Sequence, residues 1–143
     1  MNPVSIDIKN FLVSEGLGTY AATSGWGIWI GKEPSESESS ITTITLRDIG
    51  GPKPGHCFDK SKKPMRYDGV QIRVRGAAYE TGYAKMLAIA EALESRGAFS
   101  VSKVRYSDIQ MQGEIYNLDI NEKDRPIFVS SWQAFRVDGS AYT

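Results

Sequence analysis

The strongest pattern in the sequence is a strand that runs directly into a long helix, between Val70 and Gly97. Val70, Ile72 and Val74 alternate with polar residues, which is the period of a pleated strand with one apolar face. After Gly76 the apolar residues recur every three or four positions, as they do along one side of a helix. These helical residues are Tyr79, Tyr83, Met86, Leu87, Ala90 and Leu93. Gly97 then supplies a helix stop, so the segment predicts a helix that packs on a sheet.

Weaker patterns on both sides of this segment predict a second helix and further strands. Residues 2–15 carry an amphipathic stripe that ends at Gly16. The predicted strands are residues 27–31, 41–48, 101–112, 114–120 and 126–137. Most links between them are of hairpin length. We therefore expect an α+β fold with a mainly antiparallel four- to six-stranded sheet and two helices packed on one face, a single-domain sandwich.

The length and charge of the chain restrict the class of protein. Its 143 residues are enough for one core and few for two, so residues 1–143 are expected to form a single α+β domain. Seventeen basic and seventeen acidic residues give no net charge, which argues against general binding to nucleic acid or to an anionic membrane. No apolar run has the length of a membrane span and no signal peptide is recognisable. We therefore expect no membrane partner, and synthesis and action in the cytoplasm.

Residues with catalytic or metal-binding chemistry are few and scattered. The single histidine, His56, stands next to the single cysteine, Cys57, and neighbouring side chains in an extended loop usually point apart rather than converge as a nucleophile and its base. A zinc site needs three or four ligands, and these two do not suffice. The acidic residues form no close pair. We therefore expect no catalytic residue, no metal site and no cofactor.

The polar side of the strand at residues 70–75 is the first candidate contact surface. Gln71, Arg73 and Arg75 share that side, which is therefore not closed by an apolar core and must meet water, another protein or nucleic acid. Solvent and a protein interface both remain open. Nucleic acid is the weakest alternative, because no stacking aromatic residues are interleaved with the arginines, and sequence-specific binding is not expected.

Two loops of opposite charge are the second candidate. Glu33, Glu36 and Glu38 lie in the serine-rich residues 32–40, which contain Lys32 as their only base. Residues 52–69 form the longest stretch without a helical or strand pattern, a length that is often functional or disordered. Their basic residues are Lys53, Lys60, Lys62, Lys63 and Arg66. Either both loops are solvated, or their charges complement a partner surface and set its register.

Several segments resemble one family of proteins. Residues 46–51, LRDIGG, precede the long loop, and residues 70–76, VQIRVRG, lead into a helix with Tyr79 and Tyr83. An early helix with a Phe-Leu pair and a late turn at residues 121–126, NEKDRP, agree with the same element order. The chain resembles the small tail-terminator or minor capsid (head–tail joining) proteins of long-tailed bacteriophages.

The resemblance implies a structural role in virion assembly. Members of that family have a mixed α/β sandwich fold and form a hexameric ring that caps the tail tube and meets the head. The implied partners are other copies of the chain, the tail tube protein and a head–tail connector protein, in the tail or neck of a virion assembled in the host cytoplasm. The free subunit can stay monomeric until it meets the tube. We expect no enzymatic activity. The alternatives to a tail terminator are a head-side connector or other neck component, or a small cytoplasmic enzyme such as a nuclease that uses residues 52–69.

Overall fold

The computed structural model describes residues 2–50, 66–101, 103–120 and 124–138, which contain two helices and eight strands. In chain order they are α1 (Val4–Ser14), β1 (Thr19–Tyr20), β2 (Gly27–Ile30), β3 (Thr43–Ile49), β4 (Arg66–Arg75), α2 (Tyr79–Ser95), β5 (Phe99–Val101), β6 (Val104–Met111), β7 (Tyr116–Ile120) and β8 (Pro126–Asp138).

The strands form one mixed sheet, in the order β1-β2-β3-β4-β8-β6-β5, that curls into a half-barrel. One edge of β8 pairs with β4 along almost its whole length. Its other edge pairs first with β7 and then with β6, so these two strands lie end to end along the same neighbour. Gly113, at φ 84°, lies between them. The sequence pattern predicted this break in the extended segment.

The expected fold class is wrong in two respects. Within the described residues the sheet has eight strands rather than four to six, and it is mixed rather than mainly antiparallel, because β1, β2 and β3 run parallel to one another. The physical reason is the connection from β2 to β3. Residues 31–42, here called the crossover loop, pass over the sheet and return the chain in the same direction, whereas an antiparallel pair needs only a hairpin. The glycine-rich residues before β2 contain β1, a strand that the sequence pattern did not predict.

Both helices share one core with one face of the sheet, here called the helix face. Ile44 and Leu46 of β3 lie opposite Val74 and Ile72 of β4, and all four are fully buried. Helix α1 adds Val4, Ile8, Phe11 and Leu12, and α2 adds Met86, Ile89, Ala90 and Leu93. Alternate strand residues therefore point away from the helices, and they form the second face, here called the loop face.

Helix α1 obtains its N-terminal cap from another element. Pro3 occupies the cap position and offers no side-chain hydrogen bond. Instead, the backbone N–H of Ser5 donates to Asp48 Oδ1 at 3.0 Å and the Ser5 hydroxyl donates to Oδ2 at 2.6 Å. A carboxylate at this position satisfies a free N–H group and complements the helix dipole. The cap thus also attaches α1 to β3.

Helix α2 is rotated relative to the stripe that its sequence predicts. Tyr79, Tyr83 and Leu87 were expected in the core, yet each is more than a third exposed. The buried line passes instead through Gly82, Met86, Ile89, Ala90 and Leu93. Gly82 lies against Gly76, where a methyl group on Gly76 would come within 2.7 Å of the Gly82 Cα. This close approach places Gly82 of α2 against the sheet. Tyr79 and Tyr83 then lie beside Phe128 in edge-on contact.

Candidate functional site

The crossover loop covers part of the loop face and is held there by Arg75. This side chain is only 2% exposed, although it lies on the polar side of β4. Its Nε donates to the Ile41 carbonyl at 2.9 Å and its Nη1 to the Pro34 carbonyl at 2.7 Å. Its Nη2 donates to the Ser40 carbonyl at 2.9 Å and the Ser39 hydroxyl at 3.2 Å. The guanidinium thus donates its hydrogen bonds to acceptors of its own chain.

The acidic residues of the crossover loop also meet cations of the same chain. Glu33 Oε2 lies 3.9 Å from Arg73 Nη2 on β4. Glu36 Oε1 lies 2.9 Å from Arg125 Nε, just before β8. Glu38 is exposed. Two of the three predicted acidic contact residues therefore have partners within the subunit.

A polar pocket of about 140 Å³ opens on the loop face next to the crossover loop. Its lining residues are Gly31, Lys32, Glu33, Arg47 and Arg73. Arg73 Nε and Glu33 Oε1 are both buried and, among the described residues, have no hydrogen-bond partner. Lys32 and Arg47 are exposed. We call the three cations Lys32, Arg47 and Arg73 the basic pocket, because they exceed the single acid in its wall.

On the other side of the molecule, the exposed side of α2 combines acidic and apolar residues. Glu80, Tyr83, Leu87, Glu91 and Glu94 follow one another at spacings of three and four, so they lie along one side of the helix. All five are exposed. We call them the α2 stripe.

A buried polar cluster joins α1 to the sheet at the helix face. The Tyr106 hydroxyl donates to Asp7 Oδ2 at 2.5 Å, and Arg136 Nη1 lies 3.7 Å from the same oxygen. Arg136 also donates from Nε to Asp68 Oδ2 at 2.6 Å and from Nη1 to the Asn2 carbonyl at 2.6 Å. Burial raises the pKa of the Asp7 carboxyl above its usual value, although the Tyr106 hydrogen bond and the Arg136 charge oppose the shift. Burial and the neighbouring Asp7 also raise the pKa of the Tyr106 hydroxyl.

This cluster has the character of a structural tie rather than of a reactive site. Asp7, Tyr106 and Arg136 are each at most 4% exposed, and their polar groups bind one another, Asp68 and the Asn2 carbonyl. A neighbouring cavity of about 170 Å³ at the N-terminus of α1 reaches Arg136 and Asp68. In the described part of the chain, no group of three or more histidine, cysteine, aspartate or glutamate residues is placed to hold a metal ion.

The predicted contact residues fall into three groups in the structure. Gln71, Arg73 and Arg75 share the loop face as expected, but only Gln71 and Arg73 remain partly accessible. Arg66 is exposed, and its Nε lies 3.3 Å from Asp68 Oδ2. Lys53, Lys60, Lys62 and Lys63, together with His56 and Cys57, lie outside the described residues. The role of all these residues in a subunit interface stays a prediction.

Comparison with known proteins identifies the family. The sequence matches the family of bacteriophage tail terminator proteins over residues 11–135. The chain belongs to this family. The resemblance drawn from the sequence is thus confirmed, and the tail terminator is a structural protein of the virion, located in its tail or neck. Neither α1 nor α2 has the length and apolarity that a membrane crossing requires.

The fold of this tail terminator is also found in a solved virion. A chain from the structure described as "Virion of native gene transfer agent (GTA) particle" aligns with a TM-score of 0.59 and 14% sequence identity. The alignment covers 94% of this chain and 95% of that chain, so the two share the fold over nearly their whole lengths. No curated protein matches the sequence.

The sequence pattern did not indicate the α2 stripe as a candidate surface. Tyr83 and Leu87 were assigned to the core because they continue a helical apolar period. The glutamates at matching spacing were a signal against that assignment, since Glu80, Glu91 and Glu94 lie on the same side of the helix as those two residues. A stripe that mixes acids with apolar residues is typical of an exposed surface rather than of a core.

Proposed function

We propose that this tail terminator acts as a closed ring of six subunits at the end of the tail tube. The ring stops further addition of tube subunits and presents a surface that a head–tail connector protein binds. Its action is geometric and needs no catalytic group. The observation that carries the proposal is the match to the tail terminator family over residues 11–135.

The structure supports such a role through the way it uses its charges. A ring contact joins two different surfaces of identical subunits, so a subunit needs complementary surfaces at separate places. The basic pocket lies on the loop face, and the α2 stripe belongs to a helix that packs on the opposite face. The chain as a whole has no net charge, so identical copies do not repel one another strongly.

Electron microscopy of tail tubes tests the proposal directly. Purified tube protein is polymerised with and without the terminator, and the tube lengths and the density at the tube ends are measured. We expect shorter tubes with ring density at one end when the terminator is present. Tubes of unchanged length with bare ends would contradict the proposal.

The same protein preparation distinguishes the proposed function from the two alternatives, a head-side connector or other neck component and a nuclease. A head-side connector or other neck component would bind isolated heads and leave tube ends bare, so the terminator is also mixed with heads and their vertices are imaged. A nuclease would shorten linear DNA in the presence of Mg²⁺, which gel electrophoresis detects. We expect neither DNA cleavage nor binding to heads that lack tails.

A further inference from the structure

We propose that the ring contact is formed between the α2 stripe of one subunit and the basic pocket of the next. The proposal rests on the ring described above and names the two surfaces that build it. The occupant of the basic pocket is thus a second copy of this chain, and the groups that enter it are the carboxylates of Glu91 and Glu94, which lie about one helical turn apart.

The basic pocket has unmet capacity for an anion. Arg73 Nε is buried and has no hydrogen-bond partner among the described residues, and its one ion pair with Glu33 is long, at 3.9 Å. Arg47 lies on the neighbouring strand β3, two residues beyond Thr45, the residue that pairs with Arg73, and it therefore shares the loop face with Arg73. Within the described residues, neither Arg47 nor Lys32 forms an ion pair. A carboxylate suits two adjacent guanidinium groups, because each can donate two N–H groups to it.

The α2 stripe offers the complementary groups on a rigid element. Glu80, Glu91 and Glu94 are exposed and take part in no ion pair within the described residues. No basic residue lies among them on that side of the helix. Between them Tyr83 and Leu87 are 44% and 39% exposed, so the middle of the stripe is apolar while its ends are acidic. This is the arrangement of a contact with an apolar centre and a charged rim.

The positions of the two surfaces favour a ring over a closed pair. The basic pocket lies on the loop face and α2 packs on the helix face, so the sheet separates them. A twofold dimer joins the same patch of both subunits, whereas a contact between different patches leaves one patch of each kind free for a further copy and closes into a ring when the rotation between copies permits it. Complementary charges also steer the approach of each subunit and fix its register.

Charge reversal with mixing tests the contact. The pocket variant carries Lys32→Glu and Arg47→Glu, and the stripe variant carries Glu91→Lys and Glu94→Lys. All four positions are exposed and none is in an ion pair within the described residues, so both variants should fold, which circular dichroism verifies. Alone, each variant places like charges across the contact, and we expect the fraction of ring-capped tubes to fall by about tenfold or more.

An equal mixture of the two variants should recover ring-capped tubes. In the mixture the acidic pocket of one chain meets the lysines of the other, and the intact surfaces meet as well, so an alternating ring can close. Rings formed by each variant alone as well as by the wild type, or a mixture that recovers none, would overturn the proposed contact.

Matched variants control for net charge. Lys103→Glu with Arg105→Glu, and Glu15→Lys with Glu114→Lys, reverse the same numbers of exposed charges away from both surfaces. Each should form rings alone. The pocket variant mixed with the Glu15→Lys and Glu114→Lys variant should give no more ring-capped tubes than the latter forms alone at the same concentration, although their net charges are opposite, because a ring that includes the pocket variant still opposes like charges at its contacts. More capped tubes than that, with the pocket variant present in the rings, would assign the effect to net charge and overturn the proposal.

A cross-linking measurement separates failure of the contact from failure of the ring function. A carbodiimide joins an amine and a carboxylate only when they touch, and mixed ¹⁴N and ¹⁵N chains identify links between copies by mass spectrometry. Links from Lys32 to Glu91 or Glu94 at high protein concentration support the contact even if no tube is capped. Capped tubes without these links would retain the ring function and overturn the contact.

Discussion

At the scale of single residues, Arg75 shows how one buried cation can determine the course of a loop. It is the last residue of β4, and it satisfies three carbonyl groups and a hydroxyl of the crossover loop. The planar guanidinium presents five donors in fixed directions, which matches several acceptors around one point. Arg75 occupies a strand position at which the sequence pattern predicts exposure to solvent. It is instead buried and holds the crossover loop on the loop face.

Arg75→Lys should destabilise the protein although it keeps the charge. One ammonium group cannot reach acceptors on opposite sides of the guanidinium, so buried carbonyl groups lose their hydrogen bonds. We expect the free energy of unfolding, measured by urea denaturation, to fall by about 2–3 kcal/mol. Arg47→Lys, at an exposed position, should change it by less than about 0.5 kcal/mol. Equal effects of the two substitutions would show that the crossover loop does not depend on Arg75.

The Asp7 carboxyl predicts a specific pH dependence of stability. Because burial raises its pKa in the folded protein, the folded state binds this proton more tightly than the unfolded state does. Stability conferred by this group therefore increases as the pH falls through the raised pKa, and levels off below the unfolded value of about 3.8. Asp7→Asn retains an oxygen that can accept the Tyr106 hydrogen bond and removes the ionisation.

Urea denaturation of the wild type and of Asp7→Asn between pH 7 and pH 3.5 measures this effect. The difference in unfolding free energy should favour the Asn variant most at neutral pH and should change steadily in favour of the wild type as the pH falls. Other carboxylates titrate equally in both proteins and cancel in the difference. A difference that is independent of pH would show that Asp7 does not titrate as inferred.

At the scale of secondary-structure elements, the junction between β4 and α2 depends on two glycines. A Cβ on Gly76 would lie 2.7 Å from the Gly82 Cα and 2.9 Å from its nitrogen, so the backbone itself would have to move. A Cβ on Gly82 would meet the Phe128 ring at 3.1 Å, and a ring edge can shift more easily than a backbone. Gly82 is also inside a helix, where alanine is intrinsically better than glycine by about 1 kcal/mol.

The two alanine substitutions should therefore have different effects. Gly76→Ala should lower the free energy of unfolding by about 1–3 kcal/mol through overpacking. Gly82→Ala should be milder, because the gain in helix propensity offsets part of the clash with Phe128. Thermal melting followed by circular dichroism compares the two variants. A Gly82→Ala variant that is the less stable of the two would contradict this account of the junction.

The elements that local patterns predict well are those whose ends are also set locally. The strand before Gly76 and the helix that ends before Gly97 were predicted, and Gly97 has the left-handed φ of 67° that a helix-terminating glycine adopts. The parallel arrangement of β2 and β3 was not predicted. The crossover loop that connects these strands is held by hydrogen bonds from Arg75, which lies more than 30 positions away in the sequence. No local period contains that information.

The candidate surfaces, like the fold, could be predicted from local patterns only in part. The concentration of charge near Glu33 and Arg73 was visible in the sequence, but that these two residues meet across the loop face follows only from the path of the crossover loop. The basic pocket combines Lys32 of that loop with Arg47 of β3, which the strand register brings beside Arg73. Strand pairing across the sheet, rather than any motif, assembles this surface.

At the scale of the whole molecule, two surfaces of opposite charge lie apart although the chain has no net charge. The loop face carries the basic pocket, while the exposed side of α2 carries the glutamates of the α2 stripe. A net charge of zero describes such a subunit poorly, because each of these two surfaces has its own sign. Segregated charge of this kind affects the rate and register of association more than its final strength.

Salt should therefore weaken assembly without abolishing it. Exposed charges are screened beyond about 8 Å at physiological ionic strength and beyond about 3 Å in 1 M salt, so raising NaCl from 50 mM to 1 M removes the long-range attraction between the basic pocket and the α2 stripe. Burial of Tyr83 and Leu87 does not depend on that attraction, because the hydrophobic contribution scales with the apolar area removed from water. We expect the rate of tube capping, followed by light scattering, to fall steeply with salt, while caps that have already formed dissociate only slowly.

Tyr83→Ser together with Leu87→Ser separates the two contributions. Both side chains are exposed, so the fold should be retained while the apolar centre of the contact is lost. Capping at low salt should then begin at nearly the rate of the wild type, because the charges that steer encounter are unchanged, but the caps should dissociate faster and should be lost in 1 M NaCl. A capping rate of the wild type that is insensitive to salt would show that the segregated charges do not guide assembly, whichever surfaces form the ring.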